Sequence, residues 1–377
     1  MVKDNQTPEY KRIVVKLGTK LVTGGGSQLN QEIMSRLVAQ VAQLRQQGRE
    51  ILIVSSGAMA YGRHKLGLTQ KIKGIPYKQV LCSVGQSRLM YAYEQLFGEH
   101  NITVAQALLT KADLSDRAGY LNARNTLMAL LELGVVPIIN ENDVVAVDEL
   151  DDAKFGDNDN LSAMVANLVD ADLLLLLTDI AGLYTADPRL QADARLIPIV
   201  EKIDEDIERL ASGTTSQTAV GGMITKIEAA RLATASGVNV VIADGKEKNV
   251  IVRLVDGESI GTRFLPTTTH IESRKRWMLC GLCVRGKLVI DAGAAEALRK
   301  KHGSLLAAGI REVDGTFDRG DIVDIYDIEG NHLASGIVNY CSADIAKIKG
   351  VHSRKIAAIL GADFGPEVVH RNNLAIF

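Results

Sequence analysis

Short, almost wholly aliphatic runs recur along the first two-thirds of the chain, each followed by polar or glycine-rich residues and then a longer mixed stretch. Ile13-Val14-Val15, Ile51 to Val54, Thr103 to Leu109, Val135 to Ile139, Leu173 to Leu177 and Val238 to Ile242 read as strands. Their aliphatic character is continuous rather than alternating, so both faces of each strand are expected to be buried. Between them the pattern predicts helices: from Asn30, a suitable N-cap, to Gln47 with Gly48 as its stop; from Pro76 to about Phe97; from Ala118 to Leu133, stopped by Gly134; and from about Met223 to Ser236. Strand and helix alternating in this way predict an α/β domain over residues 10–265: a three-layer sandwich with a mainly parallel central sheet covered on both faces.

The pattern changes after Phe264. Pro266-Thr267-Thr268-Thr269 begins a linker with a lead-in strand over 266–283. From 284 to 363 the strands are short and glycine-punctuated (Leu288 to Ile290, Ile322 to Tyr326, Gly336 to Val338), with short helices at Ala292 to Lys300 and Ser342 to Ile348. This reads as a small, mainly β, barrel-like module, and 364–377 as a C-terminal tail.

Composition narrows the class. Of the 377 residues 46% are apolar and 23% charged, and the formal net charge is −2, so no global field favours nucleic acid or an anionic membrane. The N-terminus lacks an apolar signal segment and the longest apolar runs are far too short to span a bilayer, which makes a cytoplasmic protein the expectation. Four cysteines do not make a disulfide framework in a chain of this length, and Cys280-Gly281-Leu282-Cys283 has no second ligand pair at zinc spacing, so these cysteines read as structural or incidental.

Candidate chemistry gathers where strands end. In an open parallel sheet, ligands bind beyond the carboxyl ends of the strands. Four strands here end in Lys16-Leu17-Gly18-Thr19, Ser55-Ser56-Gly57-Ala58, Asn140-Glu141-Asn142-Asp143 and Thr178-Asp179. Lys16 and Gly18 suit a phosphate, although a plain βα turn is the commoner reason for a strand-end Lys-x-Gly. Ser56 and Gly57 stand at a strand-to-helix junction, where helix N–H groups meet anions or a simple cap suffices. Gly156-Asp157-Asn158-Asp159-Asn160 opens another helix, and its carboxylates and amides, with those of Asn140 to Asp143, suit a small, multiply charged polar molecule. Gly221-Gly222-Met223-Ile224-Thr225-Lys226 offers a glycine-rich helix start and a second cation. No Walker A or Gly-x-Ser-x-Gly pattern occurs at these places.

These motifs, in this order and followed by Gly182-Leu183-Tyr184 after Thr178-Asp179, resemble the amino acid kinase family, and within it the branch that phosphorylates L-glutamate. The 284–363 module, with Arg319-Gly320-Asp321 and Gly336, resembles a PUA domain. The resemblance covers nearly the whole chain, and its most specific part is Asn140 to Asp143 with Gly156 to Asn160. It implies ATP-dependent phosphorylation of the L-glutamate side-chain carboxylate to L-glutamyl 5-phosphate, the first step of proline biosynthesis, with inhibition by L-proline. By the same resemblance Lys16, Lys226 and Asp157 are catalytic, the lysines stabilising the transferring phosphoryl and Asp157 orienting them. Lys16, Gly18, Thr178, Asp179, Val220, Gly221, Gly222, Met223, Ile224, Thr225 and Lys226 then bind ATP, while Ser56, Gly57, Asn142, Asp143 and Asn158 bind glutamate, with Asp143 on its ammonium. Mg2+ is expected on ATP rather than in a protein cage. A homo-oligomer, dimer or tetramer, and coupling to glutamyl 5-phosphate reductase follow as family expectations.

Two features depart from the family pattern. Val220 stands before Gly-Gly-Met where a small or hydroxyl residue is usual, and the loop Ala146 to Phe155 is long and acidic. Two alternatives remain: another kinase of the fold acting on N-acetylglutamate, aspartate, carbamate or UMP, or an RNA-binding role through the PUA-like module. For the latter, Arg274-Lys275-Arg276 and Arg299-Lys300-Lys301 could supply a local basic surface, without interleaved aromatics.

Overall fold

The computed structural model describes residues 10–26, 28–68, 74–146, 157–191, 193–212, 220–269, 284–301, 303–361 and 364–376. They fall into two compact units, one drawn from Met1–Leu114 and Ala123–His270, the other from Ser115–Asn122 and Ile271–Phe377.

The first unit is built on an eight-stranded sheet. Its strands are β1 (Arg12–Leu17), β2 (Glu50–Ser55), β3 (Val104–Leu109), β4 (Val136–Glu141), β5 (Leu173–Thr178), β6 (Ile199–Val200), β7 (Asn239–Asp244) and β8 (Thr262–Phe264), in the order β3-β4-β2-β1-β5-β7-β8-β6. Strands β3, β4, β2, β1, β5 and β7 are mutually parallel, as the aliphatic runs implied. Only β8, antiparallel to β7, and its partner β6 depart from that direction. All six residues of β5 are buried, and each buried leucine contributes roughly 1.5–3 kcal/mol by leaving water.

Helices α1 (Thr19–Val22), α2 (Gln31–Gln46), α3 (Ala58–Lys65), α4 (Ile75–Gly98), α5 (Lys111–Ser115), α6 (Arg117–Glu132), α7 (Asp157–Leu168), α8 (Glu205–Ser212), α9 (Val220–Thr234) and α10 (Val250–Val255) link the strands. Asn30 caps α2 as its sequence position suggested, its side-chain oxygen accepting from the Ile33 N–H at 3.0 Å. The period-2 geometry of a strand sorts the two faces. Ile13, Val15 and Leu17 of β1 pack in one core with α2, α4 and α10. Lys16, between them in sequence, points to the opposite face, where its ammonium meets Asp159 of α7. Both faces of the sheet are thus covered, giving the three-layer α/β sandwich.

The second unit contains strands β9 (Gly286–Ile290), β10 (Leu305–Leu306), β11 (Ile310–Gly315), β12 (Ile322–Asp327), β13 (His332–Ile337), β14 (Glu367–Val369) and β15 (Leu374–Ile376). Five of them form a sheet in the order β11-β9-β12-β13-β15, and β10 pairs with β14. Leu288, Ile290, Phe317, Ile325 and Tyr340 contribute to its own apolar core. Because β14 and β15 pair within this module, the segment read from sequence as a C-terminal tail is part of the β unit.

Candidate active site

Parallel pairing brings the polar strand ends to one edge. Leu17 stands across from Ser55 on one side and Leu177 on the other, while Val54 stands across from Ile139. Lys16, Ser56, Asn140 and Thr178 therefore share an edge although they lie far apart in sequence.

The charged centre is a single carboxylate between two lysines. Lys16 Nζ lies 2.5 Å from Asp159 Oδ1, and Lys226 Nζ lies 3.0 Å from Asp159 Oδ2. Thr225 also donates to Oδ2, at 2.9 Å, and Lys226 Nζ donates to the Gly222 carbonyl at 2.9 Å. All three charged groups are buried. Burial alone would push the Asp159 carboxyl up, yet the two ammonium groups outweigh it and hold the carboxyl below its ordinary range. Burial pushes Lys226 down, and the like charge of Lys16 adds to that, while Asp159 opposes it. The sequence reading gave the orienting role to Asp157, whose side chain lies outside the described residues; Asp159 is the carboxylate found between the lysines. Helical spacing does not separate the two: Asp159 is in phase with the fully buried Ser162, Ala163 and Ala166, but position 157 is in phase with Leu161 and Leu168, which are buried as well.

Around this centre lie the other residues singled out from sequence. Gly18 has ordinary backbone angles, and its N–H is already bonded to the Leu177 carbonyl at 3.2 Å. Thr178 is buried, and its hydroxyl donates to Asp179 at 3.2 Å. Asp179 also pairs with Lys20, at 3.3 Å, a cation the sequence reading did not single out. Burial would raise the Asp179 carboxyl, and Lys20 more than offsets it, leaving the group below the usual carboxylate range. Val220, Gly221, Gly222 and Met223 form the first turn of α9, whose N–H groups have no intrahelical acceptor and favour an anion. Ile224, Thr225 and Lys226 follow on the next turn; the Val220 side chain lies outside the described residues.

A hydrogen-bonded chain runs from this centre to a pocket. Asn158, beside Asp159, donates to Ser56 Oγ and to Asn140 Oδ1, each at 3.2 Å. Asn140 in turn donates to Gln86 Oε1 at 2.8 Å. Gly57 turns the chain here with φ 113, and a Cβ at that position would come 2.9 Å from Val22 Cγ2, so only glycine serves. The pocket, about 280 Å3, lies among Cys82 and Gln86 of α4, Leu108 of β3, and Asn142 and Asp143 after β4. Asp143 is buried, and its Oδ1 has no hydrogen-bond partner among the described residues. Burial raises its carboxyl, with a contact from the Cys82 thiol acting the other way. Gln86 was not picked out from sequence, since a lone glutamine in a long helix carries no signal.

Several readings fall outside the described residues: Gly156, nearly all of the acidic loop Ala146 to Phe155, Arg274 to Arg276, and the pair Cys280 and Cys283. Among the described residues, no group of three or more His, Cys, Asp or Glu side chains could hold a metal.

Comparison with known proteins bears on this geometry. The Amino acid kinase family model matches residues 11–244 and the PUA domain model matches residues 286–360. The chain belongs to the amino acid kinase family. Among curated relatives of this amino acid kinase, glutamate 5-kinase of Dehalococcoides mccartyi is 59% identical over 367 residues, 97% of this chain and 98% of that protein. Glutamate 5-kinase of Herpetosiphon aurantiacus is 50% identical over 368 residues, 98% of this chain and 99% of that protein. Among solved structures, UMP kinase from Bacillus anthracis is 17% identical, with a TM-score of 0.47, over 69% of this chain and 98% of that chain.

Proposed function

We propose that this amino acid kinase transfers the γ-phosphoryl group of ATP to the side-chain carboxylate of L-glutamate, forming L-glutamyl 5-phosphate for proline biosynthesis. The observation that carries the reading is the pairing of Lys16 and Lys226 on one buried aspartate, linked through Asn158 and Asn140 to a pocket that holds Asp143. The choice of acceptor follows the relatives, at up to 59% identity over nearly the full length.

The chemistry needs no general base. A glutamate side chain titrates near pH 4.3 and is already an anion at neutral pH. The barrier is the approach of one anion to another, which fixed positive charge lowers. Each ammonium carries three N–H donors. Lys16 uses one on Asp159, and Lys226 uses one on Asp159 and one on Gly222. Among the described residues, both lysines therefore keep donors for phosphate oxygens. Asp159 holds the two ammonium groups in place before substrate arrives, so little reorganisation is left for the transfer step.

Asp143 pairs with the substrate ammonium, which leaves the side-chain carboxylate to face the lysines. A blocked amine, as in N-acetylglutamate, would give Asp143 no charge to meet. Asp159 is engaged by two lysines and Asp179 by Lys20, so these residues fit a divalent ion carried on ATP, Mg2+ by family resemblance, rather than a protein cage. Bound there, the ion would withdraw charge from the phosphates. Inhibition by L-proline, a cytoplasmic location and a homo-oligomeric state belong to the same proposal. No helix among the described residues is long and apolar enough to cross a membrane.

The test is ADP release with Mg-ATP against L-glutamate, N-acetyl-L-glutamate, L-aspartate, carbamate and UMP, each with and without L-proline. Turnover confined to L-glutamate supports the reading; turnover on another acceptor keeps the phosphate site and overturns the pocket assignment.

A further inference from the structure

The orientation of one side-chain amide is fixed by a chain of hydrogen bonds that begins at the backbone. The Glu141 N–H lies 2.9 Å from a side-chain atom of Asn140. A backbone N–H can only donate, so that atom is the Asn140 oxygen and the amide nitrogen faces the other way. That nitrogen donates to Gln86 at 2.8 Å, which makes the accepting atom Gln86 Oε1. Gln86 therefore turns Nε2 away from Asn140. Nε2 is a buried atom without a hydrogen-bond partner among the described residues, and Gln86 lines the pocket that also holds Asp143.

A buried amide donor left without an acceptor is costly, and folded proteins rarely keep one without a use for it. The other donors near the pocket are otherwise engaged or open to water. Ser83 and Ser87 give their hydroxyl hydrogens to carbonyls of their own helix, at 2.8 and 3.3 Å. Gln106 is exposed. Beside the buried Glu141 carboxylate, the described lining of the pocket thus places a buried acceptor, Asp143 Oδ1, and a buried donor, Gln86 Nε2, each without a hydrogen-bond partner among the described residues. An α-amino acid headgroup is the complement of that pair: its ammonium meets the carboxylate and its carboxylate meets the amide.

We propose that Gln86 is a specificity-determining residue whose Nε2 hydrogen-bonds the α-carboxylate of the amino acid that Asp143 holds by its ammonium. The inference rests on the reading of this chain as an L-glutamate kinase, and adds how the site tells an α-amino acid from a simple ω-amino acid. Fixing Gln86 through Asn140 also ties recognition of the headgroup to Asn158, the neighbour of Asp159 on α7.

The experiment compares L-glutamate with 4-aminobutanoate, the same skeleton without its α-carboxylate. The KM for L-glutamate and the inhibition constant of 4-aminobutanoate are measured for wild type, Gln86→Glu and Gln86→Met, with thermal melts to confirm folding. Glu retains an oxygen to accept from Asn140 while removing the donor and adding a repelling charge; Met removes the donor without adding charge. Loss of one charge-assisted hydrogen bond predicts a rise in KM for L-glutamate of at least about 10-fold. The KM for ATP should stay within about twofold, and 4-aminobutanoate should bind as well as before or better, since it has no group for Gln86 to meet. Equal weakening of both ligands in both variants would make Gln86 merely structural and overturn the inference. So would a KM for L-glutamate that stays within about twofold in a folded variant. A folded wild type without glutamate-dependent ADP release overturns the underlying reading, and this inference with it; an active wild type with either of the two former results overturns this inference alone.

Discussion

Lys16 and Lys226, one at the end of β1 and the other on α9, are held by opposite oxygens of one carboxylate, at 2.5 and 3.0 Å from Asp159. Two ammonium groups this close would repel strongly in a buried site. The intervening aspartate leaves a net charge of +1 and so keeps both cations where a phosphoryl group can meet them. Removing Lys226 should therefore cost catalysis more than folding. Lys226→Ala is expected to lower kcat by about 10²-fold or more, the scale of losing one preorganised donor, with Asp159 still paired to Lys16. Steady-state kinetics and a thermal melt on the same sample check both halves.

Removing Asp159 should do the reverse to the fold. Asp159→Ala leaves two buried ammonium groups facing each other, and breaking a buried ion pair in this way costs about 3–5 kcal/mol. The sign with pH follows from the direction of the shift. The folded carboxyl lies below its unfolded value, so its contribution is present above the unfolded pKa and is lost as pH falls through the folded one. The difference in unfolding free energy between wild type and variant, followed by urea titration, should therefore shrink towards strongly acid pH.

Lys226 also predicts a pH profile. Its ammonium is pushed down by burial and by Lys16, so kcat/KM for ATP should fall on the alkaline side earlier than an ordinary lysine would dictate. Asp159 is the group that opposes that shift. In Asp159→Asn, whatever residual activity remains should show the alkaline fall at lower pH still. A fall at unchanged or higher pH would remove Lys226 from the titration.

How much of this was legible in the sequence differs between elements. The core strands were, because continuous aliphatic runs have few other uses in a domain of this size, and helix ends at Gly48 and Gly134 were, because both glycines take positive φ. The antiparallel strand β8 and its partner β6 were not: at three and two residues they are too short to show a period. Helix α10, Val-Ile-Val-Arg-Leu-Val, has the composition of a strand, and packing in the core with α2 overrides that preference. At the site, sequence put the right kinds of residue at the strand ends. It did not show which of two carboxylates in Asp157-Asn158-Asp159 faces the sheet, nor that Gln86 of α4 reaches Asn140, because those depend on helix phase and on how closely α4 approaches.

Asp143 separates binding from stability. Burial raises its carboxyl, so its folded pKa exceeds its unfolded one. Its stabilising contribution is full below the unfolded pKa and is lost as pH rises through the folded value. Ionising the buried group strains the free enzyme, and a substrate ammonium relieves that strain. Asp143→Asn should thus raise the KM for L-glutamate about 10- to 100-fold while raising Tm of the free enzyme at pH 7 by a few degrees, roughly 2–4 °C per kcal/mol. The gain in Tm should close as pH falls below the carboxylate range. A variant that loses both affinity and stability at pH 7 would mark Asp143 as a structural group.

The approach of α4 to α3 rests on two glycines without room for a side chain. A Cβ on Gly85 would sit 1.7 Å from the Ala58 carbonyl oxygen, and one on Gly62 would sit 1.8 Å from that of Leu81. Both obstacles are backbone, so no rotamer change relieves them. Glycine to alanine inside a helix ordinarily stabilises by up to about 1 kcal/mol. At Gly85 the sign should reverse, because overpacking of about 1–3 kcal/mol or more outweighs the propensity gain. Gly98, at the end of the same helix, has nothing within 4 Å of its Cβ position, and Gly98→Ala should be neutral or slightly stabilising. The helices in Gly85→Ala must separate, and Gln86, next in sequence, must move with them. That variant should lose kcat/KM for L-glutamate more than for ATP, whereas Gly98→Ala should keep both. Equal thermal stability of the two variants would show that α4 can shift without cost, and the register of Gln86 on Asn140 would then need another anchor.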